Sequence, residues 1–186
     1  MFHGLTALIE RLDAAVALRE PAAVTARVKS DLSSLLSRSE LQLPETYWRT
    51  RQEGYARRLL HQNSHLGYTA VVMTWAPGQR TPLHDHGGLW CVEGVVDGAM
   101  EVTRFDLTDQ SNGSYAFVER GRLRAEVGSA GSLIPPVDYH VLGNALVDRP
   151  SLTLHVYGGD LTTCHVFLPR PDGRYERHDR ALSYHE

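Results

Sequence analysis

The stretch Gly78-Gln79-Arg80-Thr81-Pro82-Leu83-His84-Asp85-His86-Gly87-Gly88-Leu89-Trp90-Cys91-Val92-Glu93-Gly94-Val95-Val96-Asp97-Gly98 carries two histidines two residues apart. On a strand that spacing turns both imidazoles to one face and Asp85 to the other. Imidazole is the commonest metal-ligating side chain. The pair therefore reads as two thirds of a metal site, held on a strand and waiting for a third ligand. A lone His-x-His is a weak signal. Gly78 before the pair and Gly98 at the end of the stretch strengthen it.

The segments on either side read as β-structure. Residues 67–75 are rich in β-branched and aromatic side chains and end at the turn signal Pro77-Gly78. Short runs recur at about residues 55–60, 89–96, 99–107, 114–118, 122–127, 132–135, 139–147, 151–158 and 164–168, and Asn112-Gly113 marks a hairpin turn. Many short strands with turns between them, and no intervening helices, predict an all-β barrel or sandwich. Helical spacing is confined to the N-terminus. Leu5, Leu8, Ile9, Leu12 and Val16 form one stripe, and Val24, Val28, Leu32, Leu35 and Leu36 another after Pro21. A short helical piece is expected after Pro44. The organisation expected is a single domain over residues 1–186. Residues 1–48 form a helical part capping one end of the barrel, 55–168 the barrel, and 169–186 a polar tail wrapping its outside.

Composition narrows the function classes. The chain has 186 residues, 42% hydrophobic and 22% charged, as in an ordinary soluble globular protein. A net charge of -3 gives no electrostatic reason to expect nucleic acid or an anionic membrane as partner. No run approaches the ~20 apolar residues of a spanning helix. No basic stretch leads into a long apolar core near the start, so a cytoplasmic location is expected. Cys91 and Cys164 are the only cysteines. In a reducing compartment a structural disulfide between them is not expected.

A second cluster, Pro135-Pro136-Val137-Asp138-Tyr139-His140-Val141-Leu142-Gly143-Asn144, supplies a candidate third ligand in His140. Three neutral imidazoles on one face of an ion leave positions open on the other. Such a set leaves more positive charge on the metal than one containing a carboxylate, and suits an anionic ligand such as a thiolate. Glu93 shares the parity of Cys91 and is a candidate fourth ligand, although facing a local polar network or solvent is the preferred reading. In Ser151-Leu152-Thr153-Leu154-His155-Val156-Tyr157 the polar residues alternate with apolar ones. Thr153, His155 and Tyr157 share one face, which is costly inside a barrel unless its groups are hydrogen-bonded or functional.

These motifs resemble those of the cupin β-barrels. Gly78, His84, His86 and Gly98 match the first cupin motif, with Cys91 where that motif has Glu. Pro135, His140 and Asn144 match the second, with Val137 where it has Gly. Within that superfamily the chain is similar to the cysteine dioxygenases, the thiol dioxygenases. The features that carry the likeness are His84-Asp85-His86, Cys91, His140, Thr153-x-His155-x-Tyr157 and the upstream Tyr55-Ala56-Arg57.

The resemblance implies a cupin-type, jelly-roll-like barrel with two or three N-terminal helices. It implies Fe(II) on His84, His86 and His140, with a small-molecule thiol and O2 as reactants and no organic cosubstrate. Tyr157, His155 and Cys91 would serve catalysis. Tyr157 would set its hydroxyl near substrate and oxygen, His155 would hydrogen-bond and orient Tyr157, and Cys91 would lie beside Tyr157, where some family members carry a thioether crosslink. Arg57, Tyr55 and Thr153 would serve substrate binding, with Arg57 on the substrate carboxylate. Arg58 adjoins it, and Arg57 is chosen because it follows Tyr55 at the family spacing. Arg57 and Cys91 lean the substrate to L-cysteine, oxidised to cysteine sulfinic acid, over 3-mercaptopropionate or another mercapto acid. A different class of reading is a non-catalytic metal- or ligand-binding cupin. Three histidines also accept metals other than iron, and the oligomeric state stays open.

Overall fold

A computed structural model of the protein describes residues 2–186. Two helices, α1 (Leu5–Val16) and α2 (Pro21–Ser37), and a single 3-10 turn (Glu45–Trp48) precede all of the strands. The strands are β1 (Ala56–Asn63), β2 (Tyr68–Trp75), β3 (Leu83–His84), β4 (Cys91–Asp97), β5 (Ala99–Ser111), β6 (Ser114–Glu126), β7 (Ala130–Leu133), β8 (His140–Asn144), β9 (Ser151–Tyr157), β10 (Thr163–Pro169) and β11 (Tyr175–Ala181). Five form a sheet in the order β1-β2-β9-β4-β7, and the other six close a ring in the order β10-β11-β6-β5-β8-β3. The expected all-β barrel with N-terminal helices is what the chain forms.

The five-stranded sheet is covered on both faces, which explains why every residue of β2 and β9 is buried. Leu152, Leu154 and Val156 of β9 join Tyr68, Ala70 and Val72 of β2 under the helices, against Leu8, Leu12, Val28, Leu32 and Leu35. The alternate residues of β2 (Val71, Met73, Trp75) face the barrel interior with Cys91, Val95, Leu142 and Tyr157. The helices therefore lie on the outer face of the sheet and do not cap the end of the barrel. Gly94 lets α2 come close to β4, since a Cβ there would stand 2.8 Å from Leu36 Cδ1.

Other expectations change in detail. The runs at 114–118 and 122–127 are one strand, β6, because Arg120 is an extra residue taken up by a bulge between the pairs Arg104–Gly121 and Phe105–Glu119. The hairpin turn at Asn112-Gly113 forms as expected and has positive φ at both residues, as a tight two-residue turn requires. The segment after Pro169 is more than a tail. Tyr175–Ala181 forms β11 and pairs along β10 and at the end of β6. The strand under the histidine pair is short, ending at His84. Among the described residues, no helix is long and apolar enough to cross a membrane.

Candidate metal centre

His84 and His140 are register partners across β3 and β8 in the six-stranded ring. Their Nε2 atoms stand 3.2 Å apart. His86 follows β3 and is held by a loop contact. Its backbone N–H (3.0 Å) and its Nδ1 (3.1 Å) both meet Asp138 Oδ2. The three rings close a triangle with centroids 4.6, 5.0 and 5.2 Å apart. Their ligating atoms all lie within 4.8 Å of one another.

The hydrogen bonds decide which nitrogen each ring offers. His84 Nδ1 lies 3.1 Å from the Pro82 carbonyl oxygen, which can only accept. His84 thus carries its proton on Nδ1 and presents a lone pair at Nε2. Asp138 fixes His86 in the same way. His140 Nδ1 lies 3.5 Å from Glu93 Oε1. Each Nδ1 faces an oxygen. Two nitrogens sharing one ion at about 2.1 Å stand roughly 3.2 Å apart, so the His84–His140 spacing fits a shared cation. Burial pushes His84 down to about 3 and His140 well below the ordinary histidine range. Both stay neutral at physiological pH, as ligands must be.

The opposite sheet supplies the remaining groups around the same cavity: Tyr55, Arg57, Met73 and Trp75 on one side, Glu93, His155 and Tyr157 on the other. Arg57 is only 2% exposed. Its Nη2 donates to the Leu161 carbonyl (3.1 Å) and its Nη1 to that of Ser183 (3.4 Å), its Nε has no partner, and Tyr184 lies under the guanidinium at 5.3 Å. Arg58 turns away and bonds Thr74, the Arg49 carbonyl and the Glu186 backbone oxygen. Of the two arginines, Arg57 is the one at the cavity. Tyr55 stacks on Trp75 at 4.5 Å. Leu161, Cys164 and Leu182 close the cavity to about 20 Å³ of free space, enough for one water.

The polar face of β9 is buried, as its cost in a barrel demanded, but its bonds differ from expectation. His155 does not hydrogen-bond Tyr157. Two residues apart on one strand face, their rings run nearly parallel at 6.0 Å and 21°. His155 Nε2 instead meets Thr153 Oγ1 at 2.8 Å, and Trp75 Nε1 donates to the same hydroxyl at 2.9 Å. Thr153 thus supports His155 and does not line the cavity beside Arg57. Cys91 and Tyr157 are register partners on β4 and β9. Both are buried and held protonated, chiefly by burial.

Two residues of this centre are not fully legible in the sequence. Asp138 stands inside the second histidine cluster with no role to read from it, because nothing local marks a loop aspartate 52 positions from its partner. Glu93 takes the expected face of β4. It lies in a buried polar network, where burial pushes its carboxyl up to about 8. Its two oxygens face His140 Nδ1 and His155 Nδ1, each at 3.5 Å. Glu93 and His140 also line a larger cavity of about 410 Å³ on their other side.

Known proteins resemble this chain in sequence and in fold. The chain is 23% identical to cysteine dioxygenase type 1 of Rattus norvegicus over 124 residues, covering 67% of this chain and 60% of that protein. The figures are the same for the Homo sapiens protein. The match thus spans less than two thirds of the length of these relatives. Among solved structures, the chain is similar to TT1209 from Thermus thermophilus (TM-score 0.47, 20% identity, 63% of this chain and 95% of that one). It is similar also to an oxalate oxidase in complex with the substrate analogue glycolate (TM-score 0.46, 19% identity, 64% and 59%). The profile of one family, cysteine dioxygenase type I, matches residues 18–170. Most of the chain, with both histidine clusters and the β9 motif inside it, falls within that match, and the chain belongs to the cysteine dioxygenase type I family.

Proposed function

We propose that this protein is an iron-dependent thiol dioxygenase that converts L-cysteine and O2 to cysteine sulfinic acid. The observation that carries the reading is the convergence of the His84, His86 and His140 imidazoles on one cavity with the buried Arg57 guanidinium and the Tyr157 ring. His84, His86 and His140 would hold Fe(II). Bound there, Fe(II) supplies the Lewis acidity that keeps a substrate thiol deprotonated and the redox chemistry that O2 requires.

The chain's own residues do the rest. Arg57 has N–H donors beyond the two given to carbonyls, and a guanidinium fork suits the substrate carboxylate. The apolar walls (Met73, Leu161, Leu182) exclude water from the reacting thiol. Tyr157 keeps its hydroxyl protonated and can donate to an oxygen or sulfur in the cavity. Tyr55 and Trp75 form a rigid stacked side wall. A substrate needs more than the free space present, so Leu182 and its neighbours must yield for entry. Both cysteines are free thiols, in keeping with a cytoplasmic enzyme.

The test is O2 uptake by the iron-loaded protein with L-cysteine and 3-mercaptopropionate in parallel, with mass spectrometry of the products. Preferential cysteine sulfinate supports the proposal. Preference for 3-mercaptopropionate keeps the chemistry and moves the substrate. No uptake with either thiol at full iron occupancy overturns it in favour of a binding cupin.

A further inference from the structure

Glu93 Oε2, His140 Nδ1 and His155 Nδ1 are among the buried polar atoms that lack a hydrogen-bond partner. An isolated orphan of this kind is destabilising. They are not isolated from one another. Glu93 stands between the two rings, with Oε1 3.5 Å from His140 Nδ1 and Oε2 3.5 Å from His155 Nδ1. The placement follows from strand pairing, since Glu93 and His155 are register partners on β4 and β9.

The direction of the hydrogen bonds can be followed from the far end. Trp75 Nε1 is a donor only, so Thr153 Oγ1 accepts from it. The hydroxyl proton of Thr153 is then free for its other neighbour, His155 Nε2. Donation to Nε2 gives that buried hydroxyl proton a partner, and with Nε2 as acceptor the His155 proton lies on Nδ1, facing Glu93. From the other side, His140 turns Nε2 toward His84, and with Nε2 given as a lone pair to the metal its proton lies on Nδ1, facing Glu93. Two donors thus meet one side chain, whose two oxygens both accept when it is the carboxylate, the form the proposal requires in the metal-loaded protein. The same logic already holds for the other two rings, whose Nδ1 atoms meet the Pro82 carbonyl oxygen and Asp138 Oδ2.

We propose that Glu93 is a positioning residue that accepts the Nδ1 protons of His140 and His155 at its two oxygens. It thereby holds His140 with Nε2 toward the metal and ties His155, stacked beside Tyr157, to the same anchor. The inference rests on the reading of His84, His86 and His140 as metal ligands. An oxygen acceptor on the far nitrogen of a ligating imidazole fixes its tautomer and raises its basicity, and loss of such a partner typically costs about 10–100-fold in metal affinity.

The experiment titrates metal-free protein with Co(II) against a competing chelator and records its visible bands, for wild type, His140→Ala, Glu93→Gln and Glu93→Leu. Glu93→Gln keeps the volume but turns an amide N–H₂ against one imidazole N–H. We expect Co(II) affinity to fall about 10–100-fold in both Glu93 variants, with altered bands for Glu93→Gln. Wild-type affinity and bands in Glu93→Gln would overturn the proposal while leaving the three-histidine reading intact. No Co(II) binding by wild type, or undiminished binding by His140→Ala, would overturn that reading and this proposal with it. Should the variants not fold, ¹⁵N-histidine NMR of Zn(II)-loaded wild type decides. Slowly exchanging, downfield Nδ1 protons on both His140 and His155 support Glu93, and a His155 protonated on Nε2 overturns it.

Discussion

Cys91 and Tyr157 sit directly opposite one another on the antiparallel strands β4 and β9, both buried inside the barrel. Opposed residues on one sheet face bring their Cβ atoms to about 5 Å, within reach of a covalent bond between sulfur and ring. Burial holds both groups protonated, so neither is a spontaneous nucleophile. A crosslink between them therefore requires oxidation. Iron-loaded protein cycled with substrate and O2 should yield a fraction two hydrogens lighter, absent in Cys91→Ser and in protein kept anaerobic. A mass decrease that persists in Cys91→Ser would rule this pair out. In the unreacted native protein both thiols should resist alkylation. Cys164, pushed to about 11 by burial, should react about 100-fold or more slowly than a free thiol.

Arg57 and Arg58 are neighbours in sequence with opposite fates, and that contrast is testable. Arg57 faces the cavity, whereas Arg58 ties down Thr74 and the Arg49 and Glu186 backbone oxygens. Hydrogen bonds to charged groups contribute about 1.5–3 kcal/mol. Arg57→Gln should therefore raise KM for L-cysteine about 10- to 150-fold at unchanged iron content. Arg58→Gln should leave KM within about threefold and lower the melting temperature. Steady-state kinetics with iron quantitation checks both. A larger KM effect from Arg58 would reverse the assignment.

What the sequence reveals here follows the range of the interactions involved. The candidate ligands His84, His86 and His140 are legible because motif spacing is local, although His86 lies beyond the end of β3. The alternation in β9 is legible for the same reason, with Leu152, Leu154 and Val156 lying under the helices. The partner of His86 is not, because Asp138 reaches it from a loop whose course depends on the whole barrel. The partner of His155 differs from expectation. Its hydrogen bond goes to Thr153, which is fixed by Trp75 from β2, a pairing no local pattern encodes. Strand β11 is hidden because both of its faces are largely exposed and polar, leaving no period-two signal to read.

Asp138 should behave as part of the metal centre although it touches no ion. It accepts both N–H groups of His86. Asp138→Ala leaves two buried donors without partners and frees the ring to rotate. Metal affinity should drop about 10–100-fold, and stability should fall by about 2 kcal/mol or more. Asp85 is the control. It accepts from His165 on the opposite side, at 2.7 and 2.9 Å. Asp85→Asn should cost stability while leaving metal affinity close to wild type. Chelator competition and urea melts on the two variants separate the roles, and equal losses of affinity would contradict the assignment.

Removing the metal should expose a stability optimum set by the buried site itself. Burial, then the neighbouring His86, push His84 down to about 3. Burial likewise lowers His140 and His155 well below the histidine range. In the unfolded chain these groups take up protons near pH ~6.5. Below that pH the unfolded state binds more protons than the folded one, so stability falls with acid. Glu93 acts in the opposite sense. Burial raises it to about 8 from its ordinary value of 4.5, so between those values the folded state binds the extra proton and stability falls as pH rises. Three histidines outweigh one glutamate below pH ~6.5, and Glu93 alone acts above it. The metal-free protein should therefore have its highest urea midpoint near pH ~6.5 and lower midpoints at about pH 5 and pH 8.5. Metal affinity should weaken with acid as well, because the ligands must be neutral to bind. A midpoint that rises steadily from about pH 6.5 to pH 5 would show that these imidazoles accept protons in the folded state.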